Sequence, residues 1–163
     1  MRKMTGGVFD EPVEPPVEKP TTPPSTEDLR TININDEIMA VVGTNSWNAI
    51  AYGNGKYVAV GSSGYVTTST DGINWTTPKQ IAGSSYTWNG IIYANGKFVA
   101  CGQYSYIAVS TNGTNWTTYK VDSSATYNWA DIAYGNSKFV VVGSSGRISV
   151  SYTHLRAHET ELH

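Results

Sequence analysis

Acidic side chains that could act as general acids or bases are scarce in the central part of this 163-residue sequence. No glutamate lies between Glu37 and Glu159, and the aspartates in that stretch are Asp71, Asp122 and Asp131. Glycosidic hydrolysis normally requires two carboxyl groups at a fixed separation. The sequence places Asp71 in a turn and Asp122 in a loop, and only Asp131 on a strand where it could face a central channel. We expect Asp131 to be solvated or hydrogen-bonded, and the chain to contain no catalytic residue.

The histidines, the usual metal ligands and proton carriers, all lie at the C-terminal end. They are His154, His158 and His163, and the first two have the i, i+4 spacing that could hold a metal ion on a helix. A metal site also needs a third ligand and a shaped pocket, which this segment does not supply. Without histidine in the central part there is no Ser-His-Asp arrangement, and no GxxxxGKS phosphate loop occurs. We therefore expect no metal site and no cofactor.

The elements that must position any functional residue come from an internal repeat. Trp47, Trp88 and Trp129 are separated by 41 residues each, and residues 47–87 and 88–128 are identical at 20 of 41 positions without a gap. Each copy contains short apolar or alternating segments bounded by Gly, Asn, Ser and Asp, which predicts four antiparallel strands. The predicted last strand opens at Trp75 and ends near Pro78, as an edge strand does. The fold class is therefore all-β, with about three four-stranded blades of a β-propeller.

A short motif closes the third strand of the first two copies. Its members are Ser69, Asp71, Gly72 and Trp75, and then Ser110, Asn112, Gly113 and Trp116. The motif resembles a compact Asp-box of the BNR-type, sialidase-like repeat family, with one residue missing before the glycine. In this role Asp71 accepts backbone N–H bonds, Gly72 allows the tight turn, and Asn112 replaces Asp71 in the second copy. We expect these residues to be structural.

The chain divides into six predicted segments. Residues 1–30 form a disordered leader rich in Pro, Glu and Thr, and residues 31–46 a partial blade strand. Residues 47–87 and 88–128 form two blades, and residues 129–151 a truncated third. Residues 152–163 depart from the repeat and resemble a translated sequencing adapter. Fewer than three full blades cannot close a ring, so we expect an open propeller fragment that requires further blades or self-association.

Residues at the blade ends are the candidates for ligand binding. Amide, hydroxyl and aromatic groups there suit sugar stacking or protein contact. The candidates are Tyr86, Trp88, Tyr104, Tyr127, Trp129 and Asp131. The tryptophans recur at one repeat position, so packing inside the blades is the alternative for them. Tyr104 is distinctive because its counterparts are Ser63 and Ser145.

The resemblance implies a non-catalytic recognition or structural module for glycans or proteins, as found in phage tail and bacterial surface proteins. The alternative is a fragment of a sialidase-like glycoside hydrolase that lacks its catalytic blades. A net charge of −2 without clustered basic residues argues against a nucleic-acid partner. The sequence shows neither a signal peptide nor an apolar stretch long enough to span a membrane, so we expect a soluble protein of unknown location.

Overall fold

The computed structural model describes residues 39–121, 123–124 and 126–152. The predictions for the leader, for the adapter-like tail with its histidines, for Asp122 and for most of the partial blade strand lie outside these residues. Within them, the secondary structure is β-strand, with short 3-10 turns. The strands are β1 (Trp47–Gly53), β2 (Lys56–Gly61), β3 (Tyr65–Ser69), β4 (Lys79–Gln80), β5 (Trp88–Ala94), β6 (Lys97–Gly102), β7 (Tyr106–Ser110), β8 (Thr117–Lys120), β9 (Trp129–Gly135), β10 (Lys138–Gly143) and β11 (Ile148–Tyr152).

The strands form three antiparallel meanders. Sheet 1 has the order β1-β2-β3-β4, sheet 2 the order β5-β6-β7-β8, and sheet 3 contains β9, β10 and β11 in the described residues. Each sheet starts on its innermost strand and proceeds outward, as the blades of a propeller do. The predicted all-β class and the four-stranded blade are thereby confirmed, and the sheets do not close into a ring.

The hairpins that join the first two strands of each sheet are set by local backbone preference. Asn54 and Gly55 both have positive φ, at 48° and 72°, and Asn95 and Gly96 repeat these values at 48° and 71°. Two successive residues with positive φ define the type I′ turn, whose twist matches that of paired strands and favours Asn-Gly. This part of the repeat folds as its turn residues predict.

A glycine at the end of the second strand allows the preceding link to approach closely. A Cβ on Gly61 would collide with the carbonyl oxygen of Ser46, and one on Gly102 with that of Thr87. The same carbonyls accept hydrogen bonds from the N–H groups of Ser62 and Gln103, at 2.9 and 3.0 Å. The contact fastens each sheet to the segment that enters it.

The outermost strand of sheet 1 differs from the prediction. It was expected to open at Trp75, but β4 contains only Lys79–Gln80 and follows Pro78. Proline has no N–H to donate to a ladder. The Trp75 indole donates to the Gly72 carbonyl at 3.1 Å, as the Trp116 indole does to Gly113 in sheet 2 at 3.2 Å. Sheet 2 has tyrosine at the position of Pro78, and its outer strand β8 is correspondingly longer.

Two apolar clusters hold the three sheets together. The first, between sheets 1 and 2, includes Val58, Val60, Trp88 and Phe98, and the second, between sheets 2 and 3, is built around Trp129. Close-packed apolar contacts of this kind supply most of the stability of repeat architectures. Cys101 is a free thiol buried in the second cluster, where it packs as a small apolar residue.

Candidate functional site

The turns between the second and third strands meet the links between sheets at one end of the molecule. In sheet 2 this turn contains Gln103–Ser105, and the N–H of Ser105 donates to the carbonyl of Tyr127, in the link to sheet 3, at 2.8 Å. Tyr104 in the middle of the turn has a φ of 55°, and Ser63 and Ser145 have 54° and 59° at the same repeat position. All three repeats therefore hold this residue in the left-handed region, and in sheet 2 the residue is tyrosine.

Three tyrosine rings pack together at this end, and we call Tyr86, Tyr104 and Tyr106 the tyrosine cluster. Tyr86 stacks on Tyr106 with ring centroids 4.3 Å apart and an interplanar angle of 14°. The Tyr86 ring also meets the Tyr104 ring edge-on, with centroids 5.5 Å apart and an interplanar angle of 65°. Tyr104 remains 47% exposed. A rigid aromatic surface with hydroxyl groups at its rim suits contact with another molecule.

Interaction with the Tyr106 side chain, followed by desolvation, raises the pKa of Tyr86 in this cluster above its ordinary value. The shift disfavours the phenolate, so Tyr86 stays neutral near neutral pH. The cluster therefore presents hydroxyl groups that donate and accept hydrogen bonds rather than a nucleophile.

Next to the tyrosine cluster, a cationic side chain from sheet 3 contacts an aromatic ring of the link between sheets 2 and 3. The Arg147 guanidinium carbon is 4.7 Å from the centroid of the Tyr127 ring, within the range of a cation–π contact. Tyr127 in turn meets Trp129 edge-on, with centroids 5.8 Å apart. Asn128 connects this pair with the tyrosine cluster, because its side-chain oxygen accepts a hydrogen bond from the Tyr104 N–H at 3.3 Å. The Tyr104 turn and the Tyr127 link therefore adjoin one another.

The two tryptophans proposed as ligand contacts are interior residues. Trp88 and Trp129 are the largest fully buried side chains and belong to the two apolar clusters. Neither indole N–H has a hydrogen-bond partner within the described residues. The alternative of packing inside the blades is therefore the correct one for both, and neither ring is available for stacking on a ligand.

Asp131 lies exposed on β9, in register with Val142 of β10. Its Oδ1 atom accepts a hydrogen bond from the Ile132 N–H at 2.8 Å, as expected for a solvated or hydrogen-bonded carboxylate. The same carboxylate adds to the effect of burial on Cys101, and together they raise the pKa of that thiol to about 12. Cys101 is therefore a protonated, unreactive thiol at neutral pH.

The turns after β3 and β7 have the predicted structural geometry. Oδ1 of Asp71 accepts hydrogen bonds from the N–H groups of Ile73 and Asn74 at 2.9 and 2.8 Å. Asn112 makes the same pair of bonds at 2.9 and 2.8 Å in the second copy. The Asn74 side-chain amide, the Asn74 and Ile73 N–H groups and the Ser69 hydroxyl hold the pKa of Asp71 well below its usual range. Oδ1 makes the two backbone bonds in both turns, and Oδ2 of Asp71 also accepts a hydrogen bond from the Asn74 side-chain amide at 2.8 Å.

An apolar cleft of about 310 Å³ opens between sheets 2 and 3. It is lined chiefly by apolar side chains, among them Val99, Ile107, Val109, Tyr119 and Phe139. The cleft lacks the convergent polar groups of a ligand site.

The described residues contain no group of three or more His, Cys, Asp or Glu that could hold a metal ion. The same part of the chain also contains no helix with the length and hydropathy needed to cross a bilayer. Among candidate binding residues, the structure thus brings together Tyr86 and Tyr104, and it places Tyr127 beside Arg147. Tyr106 and Arg147 were not among the predicted binding residues, although Arg147 is the one arginine between residues 47 and 151.

The fold and this end surface define a β-propeller repeat protein. No protein-family model matches the sequence, and no curated protein matches it. The chain is similar in structure to YCF48 bound to D1 peptide, with a TM-score of 0.57 and 17% identity over 67% of this chain and 37% of that one.

YCF48 from Cyanidioschyzon merolae is similar with a TM-score of 0.56 and 20% identity, over 70% of this chain and 36% of that chain. The WD40 β-propeller domain of Doa1 is similar with a TM-score of 0.52 and 11% identity, over 70% of this chain and 40% of that chain. At such identities the likeness concerns the fold alone. This chain spans well under half the length of each of these structures.

Proposed function

We propose that this chain is a non-catalytic recognition module of the β-propeller type, whose contact surface is the tyrosine cluster with the adjoining Arg147–Tyr127 pair. The observation that carries the proposal is Tyr104. It replaces serine at a left-handed position, is half-exposed, and is held edge-on against Tyr86. A bulky side chain at such a position is unusual, and backbone conformations of this kind cluster at binding and active sites.

The chemistry of this surface fits a polypeptide partner best. Neutral tyrosine hydroxyls can bond to backbone amides, and Arg147 supplies one positive charge for an acidic or carboxylate group. A protein of similar fold, YCF48, is described as bound to a D1 peptide, which supports the idea that such a scaffold can present a peptide-binding surface. Glycans are the second candidate, because a sugar ring stacks on exposed aromatic faces such as that of Tyr104.

The Asp-box resemblance supports a more specific proposal about origin. The turn geometry of Asp71 and Asn112 agrees with the structural role that the motif implies, and we propose that the repeats belong to that family. A phage tail or bacterial surface protein would then be the setting. This part of the proposal rests on where similar repeats occur.

The sialidase-like alternative would require residues that lie elsewhere in a longer parent protein. Such a hydrolase needs several arginines, a nucleophilic tyrosine with a glutamate partner, and an acid. Arg147 is the one arginine within the described ranges, which also contain no glutamate. Recovery of a longer reading frame separates the two functions: further blades with several arginines and a Glu/Tyr pair would favour the hydrolase, and further blades without them would favour the recognition module.

The test of the recognition proposal is to probe peptide and glycan arrays with the intact chain, and then to measure affinity for the best ligand. We expect Tyr104→Ser to weaken binding by at least about tenfold, as loss of one well-packed aromatic contact does. The substitution should leave folding intact, because Ser63 and Ser145 occupy the same backbone position.

The matched control is Tyr119→Ser, which removes another exposed tyrosine on the outer strand β8 and should leave affinity unchanged. Equal losses in both variants would show that the tyrosine cluster is not the contact surface. Silence on both arrays would contradict a recognition function for this chain.

A further inference from the structure

Each sheet has two faces, which we define by the contact between sheets 1 and 2. The leading face of sheet 2 turns toward sheet 1 and includes Trp88, Ile91 and Phe98. The trailing face of sheet 1 turns toward sheet 2 and includes Val58 and Val60. The trailing face of sheet 2 packs against the leading face of sheet 3 in the same way. The chain therefore contains two such contacts between a leading and a trailing face.

In the described part of the chain, no further sheet covers the leading face of sheet 1. Its side chains nonetheless match those of the covered leading face at four of five positions. They are Trp47, Ile50, Tyr52, Tyr57 and Ala59, against Trp88, Ile91, Tyr93, Phe98 and Ala100. Ile50 is 56% exposed, whereas its counterpart Ile91 is 9% exposed. Tyr52 is also exposed, at 59%, whereas Ala59 is already buried. The exposed part of this face forms an apolar patch of the kind typical of an interface.

The trailing face of sheet 3 is the complementary open surface. Val142 and Ile148 are 42% and 69% exposed, while their counterparts in sheet 1, Val60 and Val66, are buried in the first cluster. The β10–β11 register pairs Val142 with Ile148, so the two side chains lie together on one face of the sheet. Apart from Asp131, which pairs with Val142 on the inner strand where sheets 1 and 2 have Ala49 and Gly90, this face carries the type of apolar surface that a leading face already covers twice within the chain.

We propose that a second copy of this chain docks head to tail, with the leading face of sheet 1 on the trailing face of sheet 3. Two copies joined at both junctions give a ring of six sheets, within the four to eight blades of known propellers. Such a contact is heterologous and closes by rotation. The tyrosine cluster lies at the sheet ends, so this assembly leaves it accessible.

The segment that enters β1 does not occupy the leading face as a further sheet would. The Ser62 N–H donates to the Ser46 carbonyl just as the Gln103 N–H donates to the Thr87 carbonyl. Residues 40–46 thus correspond to residues 81–87, which precede β5 and border the first interface, with Ile81 in the apolar cluster. The corresponding segment before β1 leaves a cleft of about 330 Å³ on the leading face.

One hydrogen bond of the internal interfaces has no counterpart at the proposed junction. The Asn48 side-chain amide donates to the Trp88 carbonyl at 2.9 Å, and that of Asn89 to the Trp129 carbonyl at 2.6 Å. The third repeat has Ala130 at this position. The junction with a second copy therefore lacks this bond, and it should be weaker than the two internal interfaces.

The test measures the solution mass of the full chain by light scattering over a dilution series, with three isoleucine variants. We expect the wild type to be a dimer when concentrated. Ile50→Glu on the leading face and Ile148→Glu on the trailing face should each be monomeric, because a buried unpaired charge opposes docking. The matched control is Ile73→Glu, an exposed isoleucine on neither face, and it should remain dimeric.

Mixing the two monomeric variants gives the decisive result. The Ile50→Glu chain keeps its trailing face and the Ile148→Glu chain its leading face, so an equimolar mixture should form a 1:1 dimer through one intact junction. A symmetric dimer through like faces would survive one of the two substitutions and gain nothing from mixing, which would overturn the proposal. A wild-type chain that stays monomeric at every concentration would also overturn it.

A gain-of-function variant keeps the proposal testable if a glutamate variant fails to fold. Ala130→Asn supplies the missing donor to the Trp47 carbonyl of the second copy, and it should tighten the dimer by up to about tenfold. An unchanged dissociation constant would show that the junction does not repeat the internal interfaces.

Discussion

The covered and uncovered faces of the three sheets carry nearly the same side chains in different surroundings. Trp88 is fully buried between sheets 1 and 2, whereas Trp47, at the same repeat position, is partly exposed on sheet 1. The Trp47 indole donates to the Val42 carbonyl at 3.0 Å, while that of Trp88 has no partner in the described residues. In this repeat, the presence of a neighbouring sheet, rather than the type of side chain, decides whether a residue is buried.

The largest expected effect is a difference in stability between variants of these two tryptophans. Trp88→Ala should lower the free energy of unfolding by about 3–5 kcal/mol, because it leaves a cavity in the first apolar cluster. Trp47→Ala removes the same side chain from a partly exposed position and should cost less than half as much. Urea unfolding of dilute protein measures both. Equal losses would mean that the leading face of sheet 1 is already covered in the monomer.

The second prediction concerns a contact inside each sheet, which should not depend on the neighbour. Gly61→Ala and Gly102→Ala both drive a Cβ into the carbonyl of the entering link and should each cost about 1–3 kcal/mol. Gly135→Ala is the control, because nothing lies within 4 Å of a Cβ there. If only Gly102→Ala were destabilising, the link before β1 would be held less firmly than the link before β5.

The smallest expected effect on stability concerns the turn after β3 in sheet 1, which is exposed, in contrast to the turn after β7 in sheet 2. Gly72 is exposed, whereas Gly113 is buried against sheet 1, with Val58 and Lys56 beside it. Asp71→Asn gives the exposed turn the acceptor that Asn112 already provides, so the fold should persist with a small loss of stability at neutral pH.

The pH dependence of this loss follows from the lowered pKa of Asp71. A depressed carboxyl pKa stabilises the folded state above the unfolded pKa of about 3.9, and this stabilisation is lost as the pH falls below it. The difference between wild type and Asp71→Asn should therefore be constant from about pH 5 to 7 and narrow in more acidic solution. Thermal unfolding across this range would measure it, and a difference that grows on acidification would contradict the assignment.

The sequence predicted the features that depend on local chemistry. Asn54 and Gly55 form an I′ hairpin between two short strands, Asp71 accepts backbone N–H bonds in its turn, and the apolar run of β2 is buried. These follow from backbone preference and side-chain alternation within a few residues. The early opening of the outer strand at Trp75 was wrong, because Pro78 cannot donate to the ladder and β4 begins only after it.

Contacts between repeats could not be predicted from residue types alone. Tyr106 begins a strand in the position of Tyr65, and nothing in the sequence indicates that it stacks on Tyr86 from the preceding link. Likewise, Val142 looks like a core residue and is nonetheless exposed. Both depend on which element lies across from them, which a single sequence does not state.

The most direct test of the difference between covered and uncovered faces uses thiol labelling. Cys101 is buried and has a raised pKa, so in the wild type it should react with a thiol reagent at least about 100-fold more slowly than in unfolded protein. The Cys101→Val/Val142→Cys variant moves the thiol to the corresponding position on the trailing face of sheet 3. When dilute it should be labelled rapidly, and protection should grow with protein concentration as a second copy covers that face. Rapid labelling of the variant at every concentration would contradict the dimer, and rapid labelling of the wild type would contradict the packing of sheet 3 on sheet 2.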